Sequence, residues 1–558
     1  LEKDFQEGAL YPLVFALPFF ILQMNRSNVA LDYDSLRYGL RSAYVLFPEG
    51  FFSAHGQINS VYSYPKGLEL LTYPLNYLPG YGFLLSFSLW IYLALALVFG
   101  LLLFHFQKNR KKLYIGILCF FLLSSVGNMS LTMKTDLFTL LLQLSALYFF
   151  LKGKRLRSCF LLFFSYSFKP TAVVFSTLLG IVFLFTMLLE CFGKRNTKTN
   201  TKENININAN TGINSNTNHN TIQVKGEKWT SELPFVLFSL VYTGLITLRT
   251  FLITGLPFST TFTGIFKAIG FHVNWPFNLD AHVDYSGEKP AFEVVLSVVK
   301  RVFFFLFYPV GEDMEHVSIA WSGVVFPAVL FLAFKNVICV VFPKGKKSAM
   351  KGIEGLEDEG RNYSYLQIVF LLISFFSLLS FFMLWQIDGN YYILWECLAL
   401  LLAASSPLWS EKQSSLGTNK WIKRLFSLTY LVSILITLVT SWAGAVGFTP
   451  IDFVNKGYYD HFAVEKDKQA KRGSLPLFLK MAENPNNHVL AVAETPECYQ
   501  IPCIVESITD VEGSGGSPGL HNDPLYFAWF LKWAKTDYIY IEKPFLEEER
   551  EKRTKKML

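Results

Sequence analysis

The chain has 558 residues, 52% hydrophobic and 17% aromatic, with only 17% charged and a formal net charge of +7. Average soluble domains carry about 25% charged residues, and that balance excludes an ordinary soluble globule. Apolar runs long enough to cross a hydrocarbon core of about 30 Å recur along most of the length, so the chain reads as an α-helical polytopic membrane protein.

About eleven such runs are expected, at roughly 8–23, 82–106, 113–127, 131–151, 156–169, 171–192, 233–253, 320–342, 364–385, 391–409 and 425–445. The first follows an acidic flank, "LEKDFQE", and precedes no small-residue cleavage site, so it reads as a retained helix and not a signal peptide. Loop cations fix the direction of the spans, because cytoplasmic loops hold an excess of Lys and Arg. "QKNRKK" (107–112), "KGKRLR" (152–157), the 193–228 and 335–362 segments and "KQSSLGTNKWIKR" (412–424) all fall on one side of an eleven-span arrangement. On the opposite side "NMS" (128–130) and "QIDGN" (386–390) carry no Lys or Arg. The N-terminus is thus expected in the cytoplasm and the region after about residue 445 outside. The net positive charge follows from this topology, and no nucleic acid partner is expected.

The long polar stretches come next in the reading. An Asn-rich insertion within 194–228 has too little apolar content to form a core and is expected to be disordered on the cytoplasmic side. Three long regions lie on the outer face: 24–81, 254–319 and 446–558. Residues 1–445 then form a transmembrane domain and 446–558 a small extracytoplasmic α/β domain with a charged tail. In that domain "HVLAVAE" (488–494) and "DYIYIEK" (537–543) read as strands and "DPLYFAWFLKWAKT" (523–536) as an amphipathic helix. Cys119, Cys159, Cys191, Cys339 and Cys397 sit in apolar spans as small hydrophobes. "ECYQIPC" leaves open a local disulfide between Cys498 and Cys503, or two free thiols.

Ionisable residues collect at the outer rim. "LDYDSLRYGLRSAYVL" fits a helix along the membrane surface, with Leu36, Leu40, Ala43 and Tyr44 on one stripe and Arg37 and Arg41 one turn apart on another. Asp34 at its start suits an N-cap, and the arginines equally suit lipid headgroups. "SVYSYPKGLELLTYPLNYL" (60–78) sets Lys66 in a turn before the second span. "MKTDLF" (133–138) places Asp136 near the outer end of the fourth, where an ionisable group is expensive and usually functional. "SFKPTA" (167–172) adds Lys169 in an outer turn. In the second outer loop Asp280, His282, Asp284, Glu312 and His316 offer oxygen and imidazole ligands for a divalent metal, although solvated loop charge explains them equally well. P-loop and GxGxxG patterns are absent, and no other cofactor is expected.

"DSLRY", followed some thirty residues later by "YPKGLELL", resembles the first outer loop of the C-type membrane glycosyltransferases (GT-C fold), particularly those related to protein mannosyltransferases and the lipid A aminoarabinose transferase. "KTDLFTLLLQLSALYFFLKGKRLRSCFLLFFSYSFKPTA" is similar to the middle helices of that family, and "DGNYYILWECLALLLAAS" to its late outer turn and helix. The turn here reads Pro-Lys-Gly where the family has Lys-Pro-Pro, and Ser35 stands where an acidic residue is common. The resemblance implies transfer of a sugar from a polyprenyl-phosphate donor to an extracytoplasmic acceptor, among membrane lipids, with inversion at the anomeric carbon. It assigns the base to Asp34, with Asp32 second, and supporting carboxylate duty to Asp136. Arg37, Arg41, Lys66 and Lys169 are then candidates for the donor phosphate. The expected location is a bacterial inner membrane with the site facing the periplasm. The rival class, a transporter or flippase of lipid-linked sugars, predicts charged or broken segments at mid-membrane depth.

Overall fold

Uninterrupted apolar sequence produces the long helices, and charge, glycine or proline ends them. The computed structural model describes residues 33–47, 49–53, 63–77, 82–130, 132–208, 229–275, 277, 291–307, 322–341, 357–383, 389–405, 424, 427–435, 470, 473–493, 496–508 and 523–543, with Val14 and Leu17. The chain is mostly helical. At the start, α1 (Tyr33–Arg37), a 3-10 turn (Gly39–Arg41) and α2 (Ser42–Leu46) follow one another, and α3 (Gly67–Thr72) comes after the Pro-Lys-Gly turn. Then come α4 (Gly82–Phe106), α5 (Arg110–Phe121), α6 (Ser124–Met129), α7 (Asp136–Leu151), α8 (Arg155–Ser165), α9 (Pro170–Asn208) and α10 (Trp229–Thr254). After the short α11 (Thr263–Ala268) follow α12 (Ala291–Phe307), α13 (Val325–Val341), α14 (Glu357–Met383) and α15 (Ile393–Ala404).

Among the described residues four helices are long and apolar enough to cross a membrane: Ser86–Phe106, Pro170–Leu189, Glu232–Thr254 and Asn362–Phe382. The expected eleven are not reached, for definite reasons. The 113–127 run is split, because Leu123 adopts an extended conformation between α5 and α6. The 391–409 run gives up its first residues to a 3-10 turn at Gly389–Tyr391, and α15 keeps 12 residues. Runs 131–151 and 156–169 shorten to 16 and 11 residues, because Thr132 to Thr135 and Tyr166 to Lys169 are spent in the turns. Runs 8–23 and 425–445 lie largely outside the described residues.

Two further departures concern segments read as loops. α9 continues past its apolar part to Asn208, into the tract expected to be disordered, since extending an existing helix adds a hydrogen bond per residue without a new nucleus. α12 lies inside the expected outer loop 254–319. Lys300 and Arg301 interrupt its apolar run and hid it, yet its Phe305 is buried against Phe326, Phe381, Tyr392 and Trp395. One apolar core joins these helices, with α7 packed between α4 and α8 and α15 against α13 and α14.

The C-terminal region begins with α16 (Leu475–Met481) and holds β1 (His488–Val492), β2 (Ile504–Ser507), α17 (Pro524–Trp533) and β3 (Tyr538–Ile541). The strands form a parallel sheet in the order β2–β1–β3, with His488 opposite Ile504 and Val489 opposite Tyr538. Alternation along β1 sends its side chains to two cores. Leu490 and Val492 pack with Phe527 and Phe530 of α17, which Asp523 caps through the Leu525 and Tyr526 amides. Val489 and Ala491 face the other way, onto Leu36, Leu40 and Met133. The sheet therefore rests directly on the segment around α1. Cys498 and Cys503 are both buried, and burial pushes the Cys503 thiol up to about 11.

Two glycines permit close approaches to the segment around α1 and α3. A Cβ at position 39 would lie 2.4 Å from the Met133 Cβ, and one at 67 would lie 2.4 Å from the Ser167 carbonyl oxygen, which accepts a 2.8 Å hydrogen bond from the Gly67 amide. Gly244 has open space around it. Replacing Gly67 by Ala should destabilise the protein by about 1–3 kcal/mol through overpacking, seen as a lower melting temperature in detergent, whereas Gly244→Ala should leave it unchanged or slightly raised.

Candidate functional site

Three chain segments far apart in sequence bring their ionisable residues to one rim of the helical bundle. α1 contributes Asp34 and Arg37, the turn into α7 contributes Lys134 and Asp136, and the turn into α9 contributes Lys169. Ser35 fixes the first two segments together by accepting the Met133 amide at 2.7 Å. The Lys134 Nζ lies 2.8 Å from Asp34 Oδ2, and Arg37 Nη1 lies 3.8 Å from Asp34 Oδ1. Both cations are almost fully buried, while the Asp34 side chain keeps 30% of its surface exposed. Burial alone pushes the Asp34 carboxyl up, but the charges of Lys134 and Arg37, the Lys134 hydrogen bond and the charge of Lys169 outweigh it and hold the group at about 2. Asp34 is thus an ionised, partly open carboxylate in a cationic setting, rather than a simple helix cap.

A second pair lies beside the first. The Lys169 Nζ donates to Asp136 Oδ1 at 2.5 Å and stands 4.7 Å from the centre of the Tyr391 ring. This pair closes one side of a small open cleft, whose walls also include Thr139, Leu140, Gln143, Phe175, Tyr391 and Leu394. The Gln143 amide donates to Ser176 at 3.0 Å.

Lys66 is placed differently from its expected role. It is buried, with Nζ 3.3 Å from Glu69 Oε1 and 4.6 Å from the Tyr38 ring centre. Burial pushes its ammonium below the usual lysine range, against the pull of Glu69, and the charges of Arg249 and Arg37 add to the lowering. Arg249 of α10 donates from Nε to the Phe51 carbonyl at 2.8 Å and from Nη2 to the Val45 carbonyl at 3.1 Å, pinning the loop after α2. Lys66 and Arg249 therefore hold the first outer segment in place from below.

Arg41 does not join the cluster. Its Nη1 donates to the Tyr499 carbonyl at 2.7 Å and its Nη2 to the Cys503 carbonyl, and its guanidinium lies beside the Tyr44 and Tyr499 rings. It ties the segment around α1 to the C-terminal region and is turned away from Asp34, where the sequence reading had grouped it with the phosphate candidates. Asp32, Asp280, His282, Asp284, Glu312 and His316 lie outside the described residues. Among the described residues no three His, Cys, Asp or Glu side chains gather as a metal site.

The sequence reading missed Lys134, Thr139, Asn390 and Tyr391. Lys134 could have been found, since it stands two residues before Asp136 in the same short rim segment and is just as expensive there. The polar side chains of the cleft carry no such signal singly. A scan against protein-family models and a search of the curated proteins found no match.

Two predictions follow from the ion pairs and ties. The stability that Asp34 gains from its cations is complete above its unfolded pKa of about 3.9 and is lost as the pH falls toward 2. Melting temperatures of wild type and Asp34→Asn should therefore differ by a constant amount from about pH 5 to 8 and converge below about pH 4. Replacing Arg41 by Ala leaves the Tyr499 and Cys503 carbonyls without their donor. It should raise hydrogen exchange of β1 and β2 and speed proteolysis between the transmembrane and C-terminal parts, while α7 and α10 stay protected.

Proposed function

We propose that the chain is an integral membrane glycosyltransferase of the GT-C type, which moves a sugar from a polyprenyl-phosphate donor to an extracytoplasmic lipid, glycan or protein acceptor. In this reading the rim that carries Asp34 faces the periplasm of a bacterial inner membrane. The observation that carries the reading is Asp34 itself: an ionised carboxylate, partly open, with Lys134 and Arg37 against it and the Lys169–Asp136 pair beside it. A base and the cations for a phosphate leaving group thus stand in one place, which is the demand of a sugar-phosphate displacement.

The acceptor hydroxyl attacks the anomeric carbon and gives its proton to Asp34. As the new carbon–oxygen bond forms, the bond from the anomeric carbon to the phosphate oxygen breaks, and the electron pair leaves with polyprenyl phosphate. Lys134 and Arg37 stabilise that charge. One displacement inverts the sugar. The low pKa of Asp34 fits this sequence of events, because a donor phosphate that engages Lys134 and Arg37 removes the very charges that suppress the carboxylate's basicity. Asp34 then becomes a useful base only when the donor is bound. Lys169 completes the cationic edge through its charge on Asp34.

Purified protein should release free polyprenyl phosphate from at least one of a panel of polyprenyl-phosphate sugars, and Asp34→Asn should slow that release by about a hundred- to ten-thousand-fold. Binding of lipid-linked sugars without any cleavage would favour a transporter or flippase. Release that continues undiminished in Asp34→Asn would remove the base role from this residue and turn attention to Asp32 and Asp136.

A further inference from the structure

The C-terminal region turns an apolar face outward on α17. Phe527, Phe530 and Ala534 are buried against the sheet, while Leu525, Trp529 and Lys532 follow one another up the opposite side at helical spacing. Leu525 is 82% exposed and Trp529 67%. Large apolar side chains on a surface are ordinarily scattered singly. Here they gather around Trp275, from the segment after α10, which is itself 42% exposed. Its ring centre lies 6.0 Å from those of Tyr526 and Trp529 and 5.6 Å from that of Trp533, and its indole N–H donates to the Tyr526 hydroxyl.

The backbone fixes the height of this cluster. Asn274 bonds back onto the last turn of α10: its amide N–H donates to the Thr254 carbonyl at 2.8 Å, and its side chain donates to the Leu252 and Ile253 carbonyls at 3.2 and 3.1 Å. Trp275 is thereby held at the end of Glu232–Thr254, one of the helices long and apolar enough to cross a membrane. Leu248, Phe251 and Leu252 near that end are exposed, and the Phe251 ring lies 5.8 Å from that of Phe271. Exposed apolar side chains therefore run from the helix onto the segment that carries Trp275. This end of α10 belongs to the same rim as Lys169, since Thr261 donates to the Pro170 carbonyl at 3.1 Å.

One occupant suits such a patch. Hydrocarbon covers the exposed sides of a membrane-crossing helix, and Trp and Tyr collect where hydrocarbon gives way to headgroups, because each ring has an apolar body and a polar tip. The end of α10 sets Trp275 and Trp529 at that level. Lys532, one turn beyond Trp529 on the same stripe, can lay its methylenes along apolar surface and raise its ammonium to lipid phosphates. We propose that Leu525, Trp529 and Trp275 seat the C-terminal sheet and its helix on the lipid headgroup layer, so that α17 is a membrane-surface anchor as well as the cover of the sheet. The proposal goes beyond glycosyl transfer and depends only on insertion of α10. With β1 resting on Leu36 and Leu40 and α17 resting on lipid, the sheet is held at the rim from two sides.

The test places full-length protein in nanodiscs of phosphatidylcholine whose acyl chains carry bromine, a contact quencher of indole fluorescence, either near the headgroup or near the terminal methyl. The chain has 11 tryptophans, so the emission of one is read as the difference between wild type and its Phe variant. The emission removed by Trp529→Phe should lose most of its intensity in the shallow-bromine lipid and little in the deep-bromine lipid, each compared with unbrominated lipid. The emission removed by Trp275→Phe should behave alike. Emission that neither lipid quenches overturns the proposal, whether its maximum lies at long wavelength, as for a patch in water, or at short wavelength, as for one covered by a second copy of the chain. Quenching by the deep-bromine lipid alone also overturns it, because the cluster then lies inside the hydrocarbon. Should one variant fail to fold, the other decides.

Discussion

Lys134 is buried where the chain turns into α7, and the Asp34 carboxylate 2.8 Å away offsets the cost of burying its ammonium. Much of the surrounding arrangement follows from satisfying that one charge. To supply the carboxylate, α1 must lie across the start of α7, and Gly39 lets it come close enough to touch Met133. Once α1 is there, Leu36 and Leu40 form an apolar platform, and the alternating face of β1 covers it. Arg41, just beyond, then reaches the Tyr499 and Cys503 carbonyls. A single electrostatic requirement at the bundle rim thereby sets where the C-terminal sheet can sit.

Buried ion pairs are poor devices for stability, since desolvation consumes most of what attraction returns, and well-packed apolar residues often do as well or better. Three such pairs at one rim, Lys134–Asp34, Lys66–Glu69 and Lys169–Asp136, are therefore better explained by use than by stability. They also divide by exposure. Lys66 and Glu69 are sealed, and together with Arg249 they brace the loop beneath the site. Asp34 alone keeps 30% of its side-chain surface open. The closed pair supplies rigidity, and the open one is left accessible.

Some of this was legible in the sequence because it depends on local pattern. Apolar runs gave the cores of α4, α9, α10 and α14, and short apolar and aromatic runs gave β1 and β3. The cost of charge near an apolar segment pointed to Asp34, Arg37, Asp136 and Lys169. What escaped depends on long-range packing. Asp34 meets Lys134 across a hundred positions, and Arg41 meets Tyr499 and Cys503 across more than four hundred and fifty. No periodicity in α1 could reveal that Arg41 serves backbone carbonyls. Helix length escaped for a different reason: hydropathy treats an extended residue such as Leu123 and a helical one such as Leu398 alike, so runs were read longer than the helices they contain. β2 is four residues long, follows a turn containing Pro502, and shows no alternation.

The four residues Met133 to Asp136 bring these arguments together. Met133 joins the apolar contact with Leu36 and the C-terminal sheet, and its amide is held by Ser35. Lys134 holds Asp34, and Asp136 holds Lys169 at the edge of the cleft. The same short link therefore touches the C-terminal sheet, the open carboxylate and the cleft. Its neighbours are helices with ends fixed by the bundle, so it has little room to move one of these contacts without the others. A shift of the C-terminal sheet would be met directly by Arg41, and would reach α1 and Asp34 through the packing of Leu36 and Met133. Packing and a charged tie thus connect the C-terminal sheet to the segment that carries the open carboxylate.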